Sequence, residues 1–216
     1  ASINSTIMSI AEFEAVCEHL SSGNEQQRVA AERFLLNMRT SENSIQLARS
    51  VIDTSNSPGA CFQAACILKE SIIRDWEKIP MNNRLELQNH LIHFVVQRES
   101  GIGIEGLKPF VRSQLLQCFA VMFKRGWVDG PPNMFTEFLS YIESLLAQAE
   151  TRAVAALALL AVLEEVAAST RSFVGLSWEF HHACQQRLHA EGHLLRVFTA
   201  VLRVLSSELP RLRAAC

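Results

Sequence analysis

The chain has 216 residues, 49% hydrophobic and 19% charged, with a formal net charge of -2; this composition belongs to a folded protein with a buried core and excludes a disordered tail. A balance so close to neutral, with a sequence pI near 6.4, offers no basic face for neutralising phosphates, so nucleic acid is not an expected partner. The longest apolar run, AVAALALLAVL from Ala153 to Leu163, falls short of the roughly 20 residues that span a bilayer and is closed by Glu164 and Glu165. A buried helix is expected there, not a membrane span.

Apolar residues recur at three and four along the chain and period-two alternation is missing, which predicts an all-α protein. No charged segment followed by an apolar one opens the sequence, so no secretory signal is expected. In chain order the predicted helices cover 8–20, 24–40, 43–54, 59–78, 81–98, 108–126, 132–148, 150–169, 178–190 and 192–207. Their boundaries are breakers: Ser21-Ser22-Gly23, Ser57-Pro58-Gly59, Pro80, the glycines from Gly101 to Gly106, Gly130-Pro131-Pro132 and Gly192. Only 170–177, mixing Ser, Gly and Phe without a helical period, reads as an irregular connection.

Cys17, Cys61, Cys66, Cys118, Cys184 and Cys216 form no CxxC pair and no disulfide framework, so reduced intracellular thiols are expected, most acting as small hydrophobes in apolar helical stretches.

One helix is written twice. FQAACILKESIIRDW, Phe62 to Trp76, aligns with SQLLQCFAVMFKRGW, Ser113 to Trp127, placing Gln63 on Gln114, Leu68 on Phe119, Ile72 on Phe123 and Arg74 on Arg125. Equivalent positions recur at intervals of about 34 to 51 residues, bracketing the period of HEAT and armadillo units. The predicted fold is a right-handed α-solenoid of about five HEAT-type antiparallel helix pairs, a single array over 1–216 with repeats near 8–40, 43–78, 81–126, 132–169 and 178–207. Trp76 and Trp127 are expected to be packing plugs between repeats. The last predicted helix is strongly apolar at Leu194, Val197, Val201 and Leu205, with no polar cap after it, as expected of an array that continues and of an end that self-adheres.

Reactive constellations are not expected. His189 and His193 in HAEGH depart from the zincin order, and Gly192 is expected to end a helix between them. His181 and His182 diverge on a helix and, with Cys184, find no fourth ligand. His90 and His93 read as a polar rim, and GIGIEG, Gly101 to Gly106, lacks the spacing and the strand of a dinucleotide loop. No catalytic residue, metal or cofactor is predicted, and the chain is not expected to be an enzyme.

The run NEQQRVAAERFLLNMR, Asn24 to Arg39, with Ala31, Glu32 and Leu35, resembles the second helix of the first HEAT repeat of the importin-β, or karyopherin, family. FQAACILKESIIRDW resembles the second repeat, while VVQRES (Val95 to Ser100), FKRGWVDG (Phe123 to Gly130) and GLSWEFHHAC (Gly175 to Cys184) are similar to segments of nuclear-export members. The resemblance implies the N-terminal portion of an export receptor, or of a bidirectional one, that binds the small GTPase Ran in its GTP form; the alternative reading of the chain is a HEAT-repeat protein-interaction scaffold without GTPase binding. It also implies cargo held through further C-terminal repeats, contact with nucleoporins, and shuttling between nucleus and cytoplasm.

Helical geometry suggests which face a partner would meet. At 100° per residue, Gln63, Ile67, Glu70 and Arg74 lie on one stripe, opposite Ala65, Leu68, Ile72 and Trp76. Arg28, Glu32 and Leu36 form a similar stripe on the earlier helix, and Gln114, Val121 and Arg125 on the later one. An apolar residue ringed by charged and amide groups has the composition of a binding hot spot, so Leu36, Ile67 and Val121 are the expected anchors of a Ran-facing surface. Arg28 with Glu32 and Glu70 with Arg74 are also spaced to pair along their own helices.

Overall fold

The computed structural model describes residues 8–101, 106–168 and 176–215, and the side chains of these except Asp129 and 210–215. Among the described residues there are helices and no strand. They are α1 (Ile10–His19), α2 (Glu25–Arg39), α3 (Ser44–Thr54), α4 (Pro58–Asp75, continued by a 3₁₀ turn at Trp76–Lys78), α5 (Met81–Ser100), α6 (Pro109–Asp129), α7 (Met134–Leu146), α8 (Arg152–Ala167), α9 (Trp178–Ala190) and α10 (His193–Ala215). This is the all-α, helical-repeat class expected from the sequence. The boundaries agree within a few residues, except that α10 continues past Pro210, whose missing N–H removes one ladder bond. Most of the GIGIEG loop, most of the 170–177 connection and Cys216 lie outside the described residues.

Local chemistry starts the helices. Ser9 accepts from Glu12 N–H while the Glu12 carboxylate accepts from Ser9 N–H, a reciprocal cap. Asn24 accepts from the N–H groups of Gln26 and Gln27, and Ser177 from that of Phe180. Ser57 accepts from Ala60 N–H, with Pro58 opening α4 where no N–H is needed.

Helix ends are closed differently. Gly192, at φ 70°, is the one described residue with positive φ, so the left-handed glycine cap that ends many helices operates only there, between α9 and α10. Elsewhere a side chain from another helix, or from the turn that follows, donates to the last carbonyls. Lys124 Nζ donates to Glu165 O at 2.6 Å and Ala168 O at 3.1 Å, and Gln185 donates to Ala167 O at 2.7 Å. Arg187 donates to Trp127 O at 2.6 Å, and Arg152 to Leu146 O at 3.0 Å. Thr151 donates to Leu145 O at 2.7 Å, and Arg74 to Arg39 O.

The chain divides into two compact units, residues 1–83 with 107–118, and residues 84–106 with 119–216. In the first unit α4 packs against α1, α2 and α3. Joined to α3 by three residues and lying along it, α4 must run antiparallel to it. Small residues line the enclosed side of α4, where Ala60, Ala64 and Ala65 are fully buried beside Leu68 and Ile72. Trp76 closes the end of this core, buried to 4%.

In the second unit Phe119, Phe123 and Trp127 recur every four residues on α6 and meet Phe135 and Phe138 of α7, with ring centroids 4.7 to 5.8 Å apart. His193 lies flat on Phe135 at 4.4 Å. Contacts run from α7 to α8, α8 to α9, α9 to α10 and from α10 back to α7, so these four helices enclose one core as an up-down bundle does. Gly130 lets the chain leave α6, since a Cβ there would lie 2.2 Å from Gly126 O. The described cysteines are free thiols, and burial pushes those of Cys17 and Cys118 up to about 12.

Lys124 carries the most deeply buried charge of this unit among the described residues. Its side chain is wholly enclosed, with Glu165 Oε1 at 3.7 Å in addition to the two carbonyls. Burial lowers its pKa below the ordinary 10.5, and the nearby Glu165 carboxylate offsets part of that shift. Lys124→Met should cost about 3 kcal/mol or more in a denaturant titration at neutral pH, because Glu165 and the end of α8 lose their partner. A folded pKa below the unfolded one means that the unfolded state binds the proton more readily. Wild-type stability should therefore rise relative to Lys124→Met as pH climbs from the lowered value towards 10.5. A difference between the two that does not change with pH would contradict a buried ammonium.

Candidate docking face

The capped start of α2 sets its rotation. With Asn24 holding the first turn, Ala31 and Leu35 point inward, 4% and 3% exposed, on a helix that packs against α1 and α4. The opposite side carries Leu36, 58% exposed, among exposed Arg28 and Glu32, whose charged groups lie 4.0 Å apart. Val29, 43% exposed, sits seven residues before Leu36 on the same face, with exposed Arg33 between. Sequence reasoning missed Val29; its signal was the spacing of seven between two apolar residues in an otherwise polar helix.

The stripe expected on α4 is only partly at the surface. Gln63 is half-buried, and Glu70 and Arg74 are exposed. Their charges tie α4 to α2: Arg39 Nη1 lies 2.9 Å from Glu70 Oε1, and Arg74 donates to the Arg39 carbonyl and pairs with Asp75. The Arg74 guanidinium and the Lys78 ammonium hold the Asp75 carboxyl below the usual range. Glu70 thus takes Arg39 as a partner across helices, while Arg74, four residues on, pairs with Asp75.

Three expected positions need correction. Ile67, placed at a solvent-facing stripe, is buried to 1%. At 100° per residue it lies about 20° from Ala60 and about 40° from Gln63, so it belongs to the edge of a core arc that three surrounding helices make wide. Val121 is buried to 1% and Arg125 to 8%, both in the second unit and each about 160° round α6 from the nearest preceding phenylalanine, so this helix is covered on the side opposite its aromatic ladder as well. None of the three is available to a partner on a free surface. Gln114, half-buried in the first unit, turns a buried Nε2 inward that has no hydrogen-bond partner.

Other polar constellations are occupied by structure. His193 is buried at the start of α10, 2.7 Å from Glu191, while His189 is exposed near the end of α9, so the two stand on different helices. His181 is buried and His182 exposed, stacked on Trp178 at 5.0 Å. Burial and the Lys124 charge lower the His181 pKa. A cleft of about 230 Å³ is lined by Glu143 and Leu146 of α7 with Ala200 and Arg203 of α10. Glu143 is held by a two-pronged bond from Arg196 at 2.8 Å, and Arg152, which also lines the cleft, pairs with Glu208 at 2.5 Å. The Arg196 hydrogen bonds hold the Glu143 carboxyl below its usual range. Among the described residues no helix is long and apolar enough to cross a membrane, and no group of three His, Cys, Asp or Glu side chains could hold a metal ion.

On α2 the first unit therefore presents an exposed apolar pair, Val29 and Leu36, bordered by both signs of charge, which is a protein-docking composition. The family model Exportin-4 matches residues 5–213. Exportin-4 of Dictyostelium discoideum is 23% identical over 208 residues, covering 91% of this chain and 18% of its own length. Exportin-7-B of Xenopus laevis is 23% identical over 130 residues, 60% of this chain and 11% of its own. The chain thus spans less than a fifth of these curated relatives. The match over nearly every residue, on an all-α framework of paired helices, makes the chain a member of the exportin-4 family.

Proposed function

We propose that this chain serves in nuclear export as part of a transport receptor, not an enzyme, and that its α2 face binds Ran in the GTP form. Family membership supports the transport role, and the observation that carries the docking site is the exposed Leu36 beside Val29, Arg28, Glu32 and Arg33. In a complex the two apolar side chains are the anchors, and the surrounding charges orient the partner and set the encounter rate. Glu70 and Arg74, with half-buried Gln63, hold that face from α4, their charges engaged at the junction with α2 and not offered to the partner. Preference for GTP follows because the γ-phosphate orders the GTPase switch segments that such a surface would read. Cargo, nucleoporin contacts and passage between nucleus and cytoplasm belong to this same reading.

Titration of Ran-GTP and Ran-GDP against the chain tests it. Wild type should favour Ran-GTP, and Leu36→Asp should weaken binding by about 2 kcal/mol with helicity unchanged, because the residue already faces water. Equal affinity for both nucleotide states, or full binding by Leu36→Asp, would leave a helical-repeat protein docking some other partner. Ile67→Asp serves as the opposite control. Its carboxylate would enter a position that is 1% exposed, so circular dichroism should show lost helicity and a stability loss above about 3 kcal/mol.

A further inference from the structure

His181 takes no part in the docking face, and it is buried where two charges already meet. It stands at the start of α9, 5% exposed, and its Nδ1 is buried without a hydrogen-bond partner. One turn further along the same helix Gln185 donates to Ala167 O, so this stretch of α9 rests on the C-terminal end of α8. The Lys124 ammonium, reaching from α6, occupies that same end, on the carbonyls of Glu165 and Ala168 and 3.7 Å from the Glu165 carboxylate. We propose that His181 is an acid-sensitive latch between α8 and α9: neutral, it closes the junction of two successive helix pairs, and protonated, it opens that junction.

The charges around the ring set the direction. Among the described residues, Lys124 faces it from α6 and Glu165 from α8, while the thiol of Cys184, three residues on along α9, faces Lys124. Glu165 is the acid of this cluster, and Lys124 already draws on it. Full protonation makes Nδ1 a donor with no acceptor and adds a second cation to the first, both held out of water. Burial first, and the Lys124 charge second, therefore hold the pKa of the folded state below the ordinary 6.5, outweighing Glu165 and a backbone hydrogen bond with Leu176 that favour the proton. An opened α9 takes the proton more readily than a docked one. The junction should thus weaken as pH falls from 6.5 towards the lowered value and keep its full strength above that range. This window lies on the acid side, apart from the alkaline one in which Lys124 titrates. The latch is independent of the proposed Ran site, which lies in the first unit.

Amide hydrogen exchange of the whole chain, read by mass spectrometry and corrected for the intrinsic pH dependence of exchange, tests the latch. On going from about pH 7.5 to about pH 5.5, α9 should lose protection at least about threefold relative to α3, a helix of the first unit. His181→Gln, which cannot take up the proton, should show the same α9 protection at both pH values. Should that variant lose helicity, His181→Phe fills the site without a titratable atom and gives the same readout. An α9 whose protection does not change with pH, a loss shared equally by α3, or an equal loss in the wild type and the His181 variants overturns the proposal.

Discussion

The carbonyls at the ends of the helices are the constraint on which this structure turns. Each helix leaves its last carbonyl groups without intrahelical partners, and a buried end must find donors. A left-handed glycine supplies such a solution only at Gly192 among the described residues, so Lys124, Arg152, Arg187, Gln185 and Arg74 supply it elsewhere. Four of these are cations, placed where the helix dipole favours positive charge. The donors come from other helices, or from the residue opening the next one, so each cap also fixes how two segments approach. Lys124 shows the cost of the device, an ammonium held out of water by the carbonyls and carboxylate it serves.

This use of charge decides what is left for partners. On α4 the charged groups that could have formed a recognition stripe are engaged at the junction with α2, where Arg74 reaches the Arg39 carbonyl and Arg39 reaches Glu70. On α2 Arg28 and Glu32 stand only 4.0 Å apart on an exposed surface, a weak pairing that a partner could displace at little cost. The proposed docking face therefore falls on the part of α2 whose charges, Arg28 and Glu32, are not tied to α4. On α10, Arg196 and Glu208 are likewise engaged with Glu143 and Arg152 and fix that helix to its own unit.

Membership in the exportin-4 family and the paired-helix framework explain each other. A helix pair cannot bury its own apolar face, so neighbours are needed on both sides, and side chains such as Phe135 or Ala64 are selected for stacking and not for chemistry. The aromatic ladder of Phe119, Phe123 and Trp127 against Phe135 and Phe138 is the densest example. It also accounts for the doubled sequence motif, since a large side chain recurring every four residues on one helix face is what such stacking requires.

The sequence by itself determined the helices. Ser9, Asn24, Ser57-Pro58, Gly130 and Gly192 act on the few residues beside them, so starts and stops were legible to within a few positions, as was the exposure of Leu36 on a polar helix. Only the tertiary structure decided how much of each helix is covered. Ile67 and Val121 were expected outside because their helical angle lies next to polar residues, but α4 is enclosed by three helices and α6 is buried on the side opposite its aromatic ladder as well as along it, so the buried arc exceeds one face. The capping cations were illegible for the same physical reason: Lys124 and Glu165, or Arg187 and Trp127, are separated by four or more turns of intervening chain and become neighbours only when the helices pack.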